Sequence, residues 1–262
     1  MRGREEMPEI NTVKVRKTEI GAGMPKICIP VTGITGEEIL EGAARAKDLG
    51  ADLVEWRADW YEEISEPGSM EAAAAKLRGV LGDVPLLFTF RTKREGGERE
   101  LAPESYIGLI ERAIRSGNVD LVDVELFTGE GEVRRMTEEA HRFGVMVIAS
   151  NHDFRKTPPK EEIVSRMCRM QELGADILKV AVMPENARDV LVLLDATETV
   201  YSRYARCPII TMAMGGLGTV SRISGEVFGS AVTFGASGRA SAPGQIQADD
   251  LRKVMDCLHD TL

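Results

Sequence analysis

The fold is decided by one strand-length stretch, Leu53-Val54-Glu55-Trp56-Arg57-Ala58-Asp59. Successive side chains of a strand point to opposite faces, so one face carries Val, Trp and Ala and the other carries Leu, Glu, Arg and Asp. In a barrel wrapped by helices the apolar face packs outward and the other face lines the interior. The stretch therefore predicts a strand of an α/β barrel whose interior is charged.

The same rhythm of strand, polar loop, amphipathic helix and glycine repeats along the chain. Strands are predicted over 26–32, 52–58, 85–91, 120–126, 145–151, 176–182, 208–214 and 231–235. Helices are predicted over 36–49, 69–81, 103–116, 131–143, 159–173, 185–204, 219–229 and 247–261, and five of them end at a glycine suited to cap them. Eight such units in 262 residues predict a closed (β/α)8 TIM barrel.

Two features of the N-terminal part refine this prediction. Residues 12–19 alternate before Gly21-Ala22-Gly23, which predicts a short strand or hairpin that closes the bottom of the barrel. A doubly wound sheet is the structural alternative, but Pro30-Val31-Thr32-Gly33 after the first strand is no dinucleotide fingerprint. We expect one domain over residues 1–262, with residues 1–11 as a flexible leader.

Composition excludes several classes of function. The formal net charge is -9 and no cluster of lysine and arginine follows one helix or loop, which argues against a nucleic-acid partner. Apolar stretches are of strand length and the N-terminus has no apolar signal segment, so we expect a soluble cytoplasmic protein without a membrane partner. The four cysteines form no C-x-x-C pair and none is spaced with a histidine as zinc motifs require, so no metal site is expected.

Lys179 stands out because it interrupts the apolar stretch Ile177-Leu178-Lys179-Val180-Ala181-Val182. A buried lysine either pairs with an acid or loses its proton and becomes a nucleophilic amine, as in Schiff-base enzymes. Other charges share the inward face of the barrel strands, and a polar pocket at the C-terminal ends of the strands would accommodate them at lower cost than full burial. These charges are Glu55, Arg57, Asp59, Arg91, Asp123 and Glu125, of which Asp123 and Glu125 are as readily structural as functional.

Three further segments border this predicted pocket. His152 comes at the end of the fifth barrel strand, beside the strand of Lys179, which makes it the candidate for proton transfer. Glu95 lies in a polar loop with paired glycines and can reach over the pocket. Residues 235–245 are rich in turn residues and suit a lid, although glycine-rich loops at this position of a barrel also bind phosphate.

Several of these stretches together resemble the type I 3-dehydroquinate dehydratases, in order from about Pro25 to the C-terminus. The motifs are Glu55-Trp56-Arg57, Phe88-Thr89-Phe90-Arg91, Glu95-Gly96-Gly97, Glu125-Leu126-Phe127, Ser150-Asn151-His152-Asp153-Phe154, Lys179-Val180-Ala181-Val182-Met183-Pro184, Gly225-Glu226-Val227-Phe228-Gly229-Ser230 and Ser241-Ala242-Pro243-Gly244-Gln245. The resemblance implies a homodimeric, monofunctional hydro-lyase of the shikimate pathway that converts 3-dehydroquinate to 3-dehydroshikimate through an imine and needs no cofactor.

The resemblance also implies a role for each matching residue. Lys179 matches the Schiff-base lysine, His152 the general acid and base, and Glu95 the carboxylate that orients the histidine. The residues matched to substrate binding are Arg222 for the carboxylate, Glu55, Arg57 and Arg91 for the ring hydroxyls, and Ser241 and Gln245 for the lid. Pro30 stands where many members have a serine, so we expect one substrate contact to be lost or replaced there.

Two other functions remain open at the level of sequence. A class I aldolase also uses a barrel lysine but cleaves a carbon–carbon bond, usually in a sugar phosphate, and the loop after the eighth strand is compatible with it. A barrel that binds a quinate-like acid without catalysis is the other alternative. The presence of Lys179, His152 and Glu95 together favours the dehydratase.

Overall fold

The structure is a computed structural model that describes residues 9–238 and 240–262. Ten strands are found there: β1 (Val13–Val15), β2 (Thr18–Ile20), β3 (Lys26–Val31), β4 (Leu53–Arg57), β5 (Leu86–Thr89), β6 (Leu121–Glu125), β7 (Met146–Asp153), β8 (Ile177–Val182), β9 (Ile209–Ala213) and β10 (Val232–Phe234). The helices are α1 (Gly36–Asp48), α2 (Ser69–Leu81), α3 (Pro103–Arg115), α4 (Glu130–Arg142), α5 (Lys160–Glu172), α6 (Ala187–Arg203), α7 (Thr219–Ile223), α8 (Gly225–Phe228) and α9 (Ala248–His259), with 3-10 turns at Lys93–Glu95, Leu126–Thr128 and Gly216–Gly218.

The eight strands β3 to β10 form one parallel sheet in the order β10-β3-β4-β5-β6-β7-β8-β9. The two outer strands of this order meet through a bridge between Ile209 and Ser230, where the amide of Ala231 donates to the carbonyl of Ile209 at 2.7 Å. The sheet is thus nearly closed and surrounded by helices. The predicted (β/α)8 barrel is confirmed.

Alternation along the strands produces two separate cores. The outward side chains pack against the helices, with Trp56 set edge-on to Phe88 at 5.3 Å between ring centroids. Inside the barrel, the inward side chains near the start of each strand form a second apolar cluster. This cluster includes Leu53, Leu121 and Ile177. The prediction that the Val-Trp-Ala face of β4 points to the helices is therefore confirmed.

The N-terminal segment forms the predicted hairpin. Strands β1 and β2 pair antiparallel, and Val13, Val15 and Ile20 belong to the inner apolar cluster at the N-terminal ends of the barrel strands. At the turn Arg16 adopts a φ of 52°, and its Nε donates to Asp120 Oδ1 at 2.7 Å. The hairpin closes this end of the barrel with apolar side chains and one ion pair. Residues 1–8 of the predicted flexible leader lie outside the described residues.

Strands β4, β6 and β8 are each directly preceded by an aspartate that links neighbouring strands at this end of the barrel. Each aspartate accepts a backbone N–H from the start of the preceding strand and also contacts a basic side chain. Asp52 contacts Ile27 N and Arg252, Asp120 contacts Leu86 N and Arg78, and Asp176 contacts Val147 N and His141. Because a carboxylate that accepts several hydrogen bonds is expensive to remove, these residues fix the register of the strands.

Several predicted boundaries differ from the structure by one or two residues, and two of the differences have a clear physical cause. Strand β7 continues to Asp153 rather than ending at 151, because its pairing with β8 extends to Asp153 opposite Val182. The prediction of one helix over 219–229 is wrong: α7 ends before Ser224, whose hydroxyl donates to the carbonyl of Val220, and α8 begins at Gly225. A Cβ at Gly225 would lie 2.7 Å from the carbonyl of Ser230, so the chain packs closely where the helix breaks.

The aspartate arrangement leads to a stability prediction. Asp120→Ala leaves the N–H of Leu86 and the guanidinium of Arg78 without their acceptor, and we expect a loss of about 2–3 kcal/mol in the free energy of unfolding. Urea denaturation followed by circular dichroism measures this loss. The control is Asp250→Ala, which removes an exposed carboxylate whose one ion pair among the described residues is with Lys253, and it should shift the unfolding midpoint far less. Equal midpoints for both variants would contradict the assignment.

Candidate active site

The polar side chains converge at the C-terminal ends of the barrel strands. Lys179 is 3 % exposed, and its Nζ lies 3.2 Å from Asp123 Oδ2 and 3.5 Å from Glu55 Oε1. The same Nζ lies 4.5 Å from the centre of the Phe234 ring. The lysine therefore lies between two carboxylates and an aromatic ring, in a site that excludes most solvent.

Arg91 is the centre of the charge network. Its guanidinium lies 2.8 Å from Asp123 Oδ2, 2.9 Å from Glu125 Oε1 and 3.7 Å from Glu95 Oε2. Burial alone would raise the pKa of Asp123, but Arg91 and Lys179 together hold that pKa below its ordinary value. Asp123 is therefore ionised and links the arginine to the lysine.

Arg57 and Glu55 complete the inner wall. Arg57 forms a two-pronged pair with Asp59, at 2.8 Å and 2.7 Å, and Thr89 Oγ1 donates to Glu55 Oε1 at 2.9 Å. Both arginines expected to bind hydroxyls, Arg57 and Arg91, are thus already neutralised by carboxylates. Their remaining N–H groups can donate to neutral hydroxyls without adding net charge.

Glu95 is carried by a tight turn after β5. The turn is packed so closely that a Cβ on Gly97 would lie 1.8 Å from the carbonyl oxygen of Arg91, and only glycine fits there. Gly96 has a φ of 84° and lies against the ring of Phe154. Thr92 fixes the start of the turn by donating its N–H and its hydroxyl to Glu125. The turn places Glu95 above the end of β7.

His152 and Glu95 form a hydrogen-bonded pair. The backbone N–H of His152 lies 2.9 Å from Glu95 Oε2, and Nδ1 of the ring lies 3.1 Å from the same oxygen. A neutral imidazole carries one N–H, and with that hydrogen on Nδ1 toward Glu95 the lone pair of Nε2 is free to accept a proton. Strand register puts Ser150 beside Lys179 and His152 beside Ala181, so the two predicted catalytic side chains lie on neighbouring strands, as expected.

The surroundings shift both pKa values in this pair. Burial and the nearby Glu125 raise the pKa of Glu95 to about 7, against the lowering effect of Arg91. Burial, Arg91 and Lys179 lower the pKa of His152 well below its ordinary value. At neutral pH the histidine is therefore uncharged, which is the state that a general base requires.

Arg222 lies apart from this network. It is 2 % exposed in α7; its Nη2 donates to the carbonyl of Pro243 at 3.1 Å, and its Nε has no partner. Within residues 9–238 and 240–262 no carboxylate forms an ion pair with it, and burial lowers its pKa to about 10. A buried, unpaired guanidinium beside Met212 of the cavity wall is suited to an anion.

The loop after β10 covers the site. Ser241, Ala242 and Gln245 line a cavity of about 40 Å³ together with Lys179, His152, Glu95 and Arg57. Ser241 and Gln245 bind each other, with Gln245 Nε2 donating to Ser241 Oγ at 3.0 Å. Of the nine predicted site residues, eight line this cavity, and Arg222 reaches it only through Met212 and the Pro243 carbonyl.

A larger cavity of about 470 Å³ lies on the outer side of the Lys93–Glu95 turn, between Tyr106 and Phe127. The smaller one is the candidate active site, because the lysine, the histidine and the shifted carboxylate converge there. Among the described residues we find no group of three or more His, Cys, Asp and Glu side chains arranged for a metal ion. No helix in that part of the chain is both long and apolar enough to cross a membrane.

Several site residues were missed or undervalued from sequence. Asp123 contacts the lysine directly, and its inward position on β6 was the available signal. Met212 and Phe234 line the cavity but look like ordinary core residues in sequence. Pro30 pairs in register with Glu55, two residues beyond the last pairing of β3 with β10, so its missing N–H interrupts no ladder on that side. Its effect on substrate contact stays a prediction.

Comparison with known proteins agrees with this geometry. The model of the family described as type I 3-dehydroquinase matches residues 27–261. The chain belongs to this family. It is 53% identical over 248 residues to the 3-dehydroquinate dehydratase of Syntrophotalea carbinolica, an alignment that covers 95% of this chain and 98% of that protein.

Solved structures of the family share the fold closely. The type I 3-dehydroquinate dehydratase of Clostridium difficile, solved with covalent modified comenic acid, is 48% identical, with a TM-score of 0.94 over 97% of this chain and 100% of that one. The 3-dehydroquinate dehydratase of Geobacillus kaustophilus is 42% identical, with a TM-score of 0.93 over 97% and 99%. A 3-hexulose-6-phosphate synthase at 17% identity and a TM-score of 0.59 shares the barrel alone.

The raised pKa of Glu95 predicts how stability depends on pH. The protonated form is favoured in the folded state, so its stabilisation is complete below the unfolded pKa of about 4.5 and is lost as the pH rises through about 7. Relative to Glu95→Gln, the wild type should therefore lose on the order of 2–3 kcal/mol of unfolding free energy between these values. Urea titrations at several pH values measure the difference.

A second variant tests the sign of the effect. The lowered pKa of His152 stabilises the fold above pH about 6.5 and this contribution is lost as the pH falls, so the wild type relative to His152→Gln should show the opposite slope. If both differences were independent of pH, the environment assigned to the pair would be incorrect.

Proposed function

We propose that the chain is a type I 3-dehydroquinate dehydratase, a hydro-lyase that eliminates water from 3-dehydroquinate through a Schiff base on Lys179. The juxtaposition of buried Lys179 with the His152–Glu95 pair on the next strand carries this proposal. The family of the chain and the names of its relatives support the substrate. The reaction is the third step of the shikimate pathway.

The first stage is imine formation. Lys179 releases its proton to solvent, and the free amine, which lies 3.2 Å from Asp123 and 3.5 Å from Glu55, attacks the C3 ketone of the substrate. Loss of water from the adduct gives a protonated imine. The positive nitrogen then serves as an electron sink for the carbon next to it.

The second stage is elimination. His152 removes a proton from C2, and the electron pair moves into the imine to form an enamine. The imidazolium returns a proton to the C1 hydroxyl, which leaves as water while the electrons of the enamine form the new C1–C2 double bond. Because Glu95 holds Nδ1 of the ring, the other nitrogen, Nε2, serves both proton transfers. Hydrolysis of the imine releases 3-dehydroshikimate and restores Lys179, without any external cofactor.

Substrate binding follows from the charges around the cavity. Arg222 is the buried cation that lacks a carboxylate partner among the described residues, and we assign it to the substrate carboxylate. Glu55, Arg57 and Arg91 face the ring hydroxyls. Ser241 and Gln245 exchange their mutual hydrogen bonds for bonds to the ligand as the lid closes.

Borohydride trapping tests the imine. Reduction in the presence of 3-dehydroquinate should give a stable adduct that peptide mass analysis places at Lys179. Lys179→Met should give none, whereas Lys160→Met, which removes a surface lysine paired with Asp195, should trap substrate like the wild type. An adduct at another lysine, or none in the wild type, would refute the Schiff base.

The same experiment separates the role of His152. His152→Ala should still form the trapped adduct, because Lys179 is intact, but its kcat should fall by about 10²–10⁴-fold. Turnover near the wild-type rate would refute proton transfer by this histidine. Cleavage of a sugar phosphate instead of dehydration would favour the aldolase alternative.

We also propose a cytoplasmic homodimer. Exposed apolar side chains cluster where α6, α7, α8 and the turn at Gly216–Gly218 pack next to one another. They are Leu191, Leu217, Val220 and Val227, between 45% and 64% exposed. A patch of this kind on one face is typical of an association surface, and two copies of the chain could bury it mutually.

Sedimentation measurements test the dimer. The wild type should sediment as a dimer, and Val227→Glu, which places a charge in the patch, should shift the equilibrium to monomer at micromolar concentration. Phe143→Glu changes an equally exposed apolar residue at the end of α4, outside the patch, and should remain dimeric. A monomeric wild type, or a dimeric Val227→Glu, would contradict this interface.

A further inference from the structure

The side chain of Asn151 bridges the His152–Glu95 pair and a residue outside the active site. Asn151 lies on β7 and is 3 % exposed. Its Nδ2 donates to Glu95 Oε1 at 3.2 Å, and its Oδ1 accepts a hydrogen bond from Nη1 of Arg166. Glu95 Oε1 thus receives an N–H from Asn151, and Glu95 Oε2 contacts both the backbone N–H and the Nδ1 of His152.

Arg166 is held in place from several sides. It belongs to α5, and 14% of its side chain is exposed. Its Nη2 pairs with Glu162 one helical turn earlier, and its guanidinium lies 5.5 Å from the centre of the Phe127 ring. Arg94, the neighbour of Glu95, lies 5.6 Å from the same ring centre. The guanidinium therefore has a fixed position relative to the turn that carries Glu95.

The chemistry of the two groups determines which way the amide of Asn151 faces. An asparagine carboxamide has an acceptor oxygen and a donor nitrogen of nearly equal size, so it fits its site in two orientations. A guanidinium only donates, so the Oδ1 of Asn151 is held on the side of Arg166. In the reverse orientation Oδ1 would face Glu95 Oε1, and two acceptors would meet in a buried site.

We propose that Arg166 is a positioning residue for the proton-transfer pair: by holding Oδ1 of Asn151 it keeps the Asn151 N–H on Glu95 and so fixes the carboxylate that orients His152. Arg166 touches neither Glu95 nor His152 through any described hydrogen bond or ion pair, and it acts through Asn151. The inference rests on the proposed roles of Glu95 and His152.

Loss of this arrangement has a measurable consequence. A hydrogen bond from Asn151 favours the ionised form of Glu95 and lowers its pKa, in opposition to burial and Glu125. Without a correctly oriented amide the carboxylate takes up a proton at higher pH and no longer supports His152. The acid limb of the kcat/KM profile, which reports the free enzyme, should therefore move.

Arg166→Leu tests the inference, because leucine keeps apolar contact with Phe127 and removes every donor. We expect the acid limb to move up by about one pH unit, with KM for 3-dehydroquinate at high pH within about twofold of the wild type. Arg166→Lys keeps a donor and should restore the limb in part. Arg169→Leu on the same helix, whose guanidinium pairs with Glu130 and Glu172, should leave the profile unchanged.

A double-mutant comparison separates positioning from simple loss of positive charge. If Arg166 acts through the amide, Arg166→Leu should produce no further shift in an Asn151→Ala background. A shift of the same size in both backgrounds would mean that Arg166 acts on the His152–Glu95 pair through its positive charge alone. That result would overturn the inference. The inference would also be overturned if Arg166→Leu lowered the thermal stability of the enzyme but left the acid limb of the kcat/KM profile unchanged.

A measurement without substrate distinguishes failure of this inference from failure of the proposed function. The chain has 3 histidines, so ¹⁵N spectra of the labelled imidazoles can follow the protonation of His152 directly. Arg166→Leu should change the titration of His152, and Arg169→Leu should not. If Glu95→Gln left turnover intact, the proposed role of the pair would fail; if Glu95→Gln abolished turnover and Arg166→Leu changed neither spectrum nor profile, only the present inference would fail.

Discussion

The charges inside the barrel depend on one guanidinium. Arg91 contacts the carboxylates of Asp123, Glu125 and Glu95, and each of these carboxylates has a second task. Asp123 holds the lysine, Glu125 fixes the start of the turn through Thr92, and Glu95 holds the histidine. Three buried carboxylates this close together would repel one another without a central cation. The lysine, the turn and the histidine would then no longer be held in fixed positions relative to one another.

The balance of charge around Arg91 explains which group has a shifted pKa. The inner cluster contains five acids, namely Glu55, Asp59, Glu95, Asp123 and Glu125, and three bases, namely Arg57, Arg91 and Lys179. With all groups ionised, an excess of negative charge would be buried, and the acid whose pKa is raised by burial and by a neighbouring carboxylate relieves it by taking up a proton. Glu95 is that acid, and its proton affinity is a property of the whole cluster rather than of one neighbour.

Much of the fold follows from local sequence rules, because a strand in a barrel has only two faces. The alternation in Leu53–Asp59 assigns inside and outside correctly, and glycines mark where helices end. The break at Ser224 and the extension of β7 depend on close packing and strand pairing between segments distant in sequence, which no local pattern encodes. For this reason helix and strand ends were the least predictable part.

Some site residues could be predicted from their position in the sequence, and others could not. Position on a strand suffices to bring Lys179 and His152 together, since neighbouring strands of a barrel are neighbours in sequence. The position of Glu95 in a polar loop made it a candidate, but its role required the family resemblance, because a residue in a loop has no fixed direction until the loop is folded. The contacts of Asp123 with Lys179 and of Asn151 with Arg166 join residues far apart in sequence, and an amide or carboxylate on a strand does not reveal its partner in advance.

Arg222 illustrates a general cost of having a site ready for its ligand. Arg222 is a buried cation whose Nε has no acceptor among the described residues, so the free-energy cost of its desolvation is only partly offset within the protein. A carboxylate bound at this position would supply the hydrogen-bond acceptor and the negative charge that the guanidinium lacks. On the proposed assignment of Arg222 to the substrate carboxylate, a substitution at this position that stabilised the protein alone would weaken its affinity for the substrate.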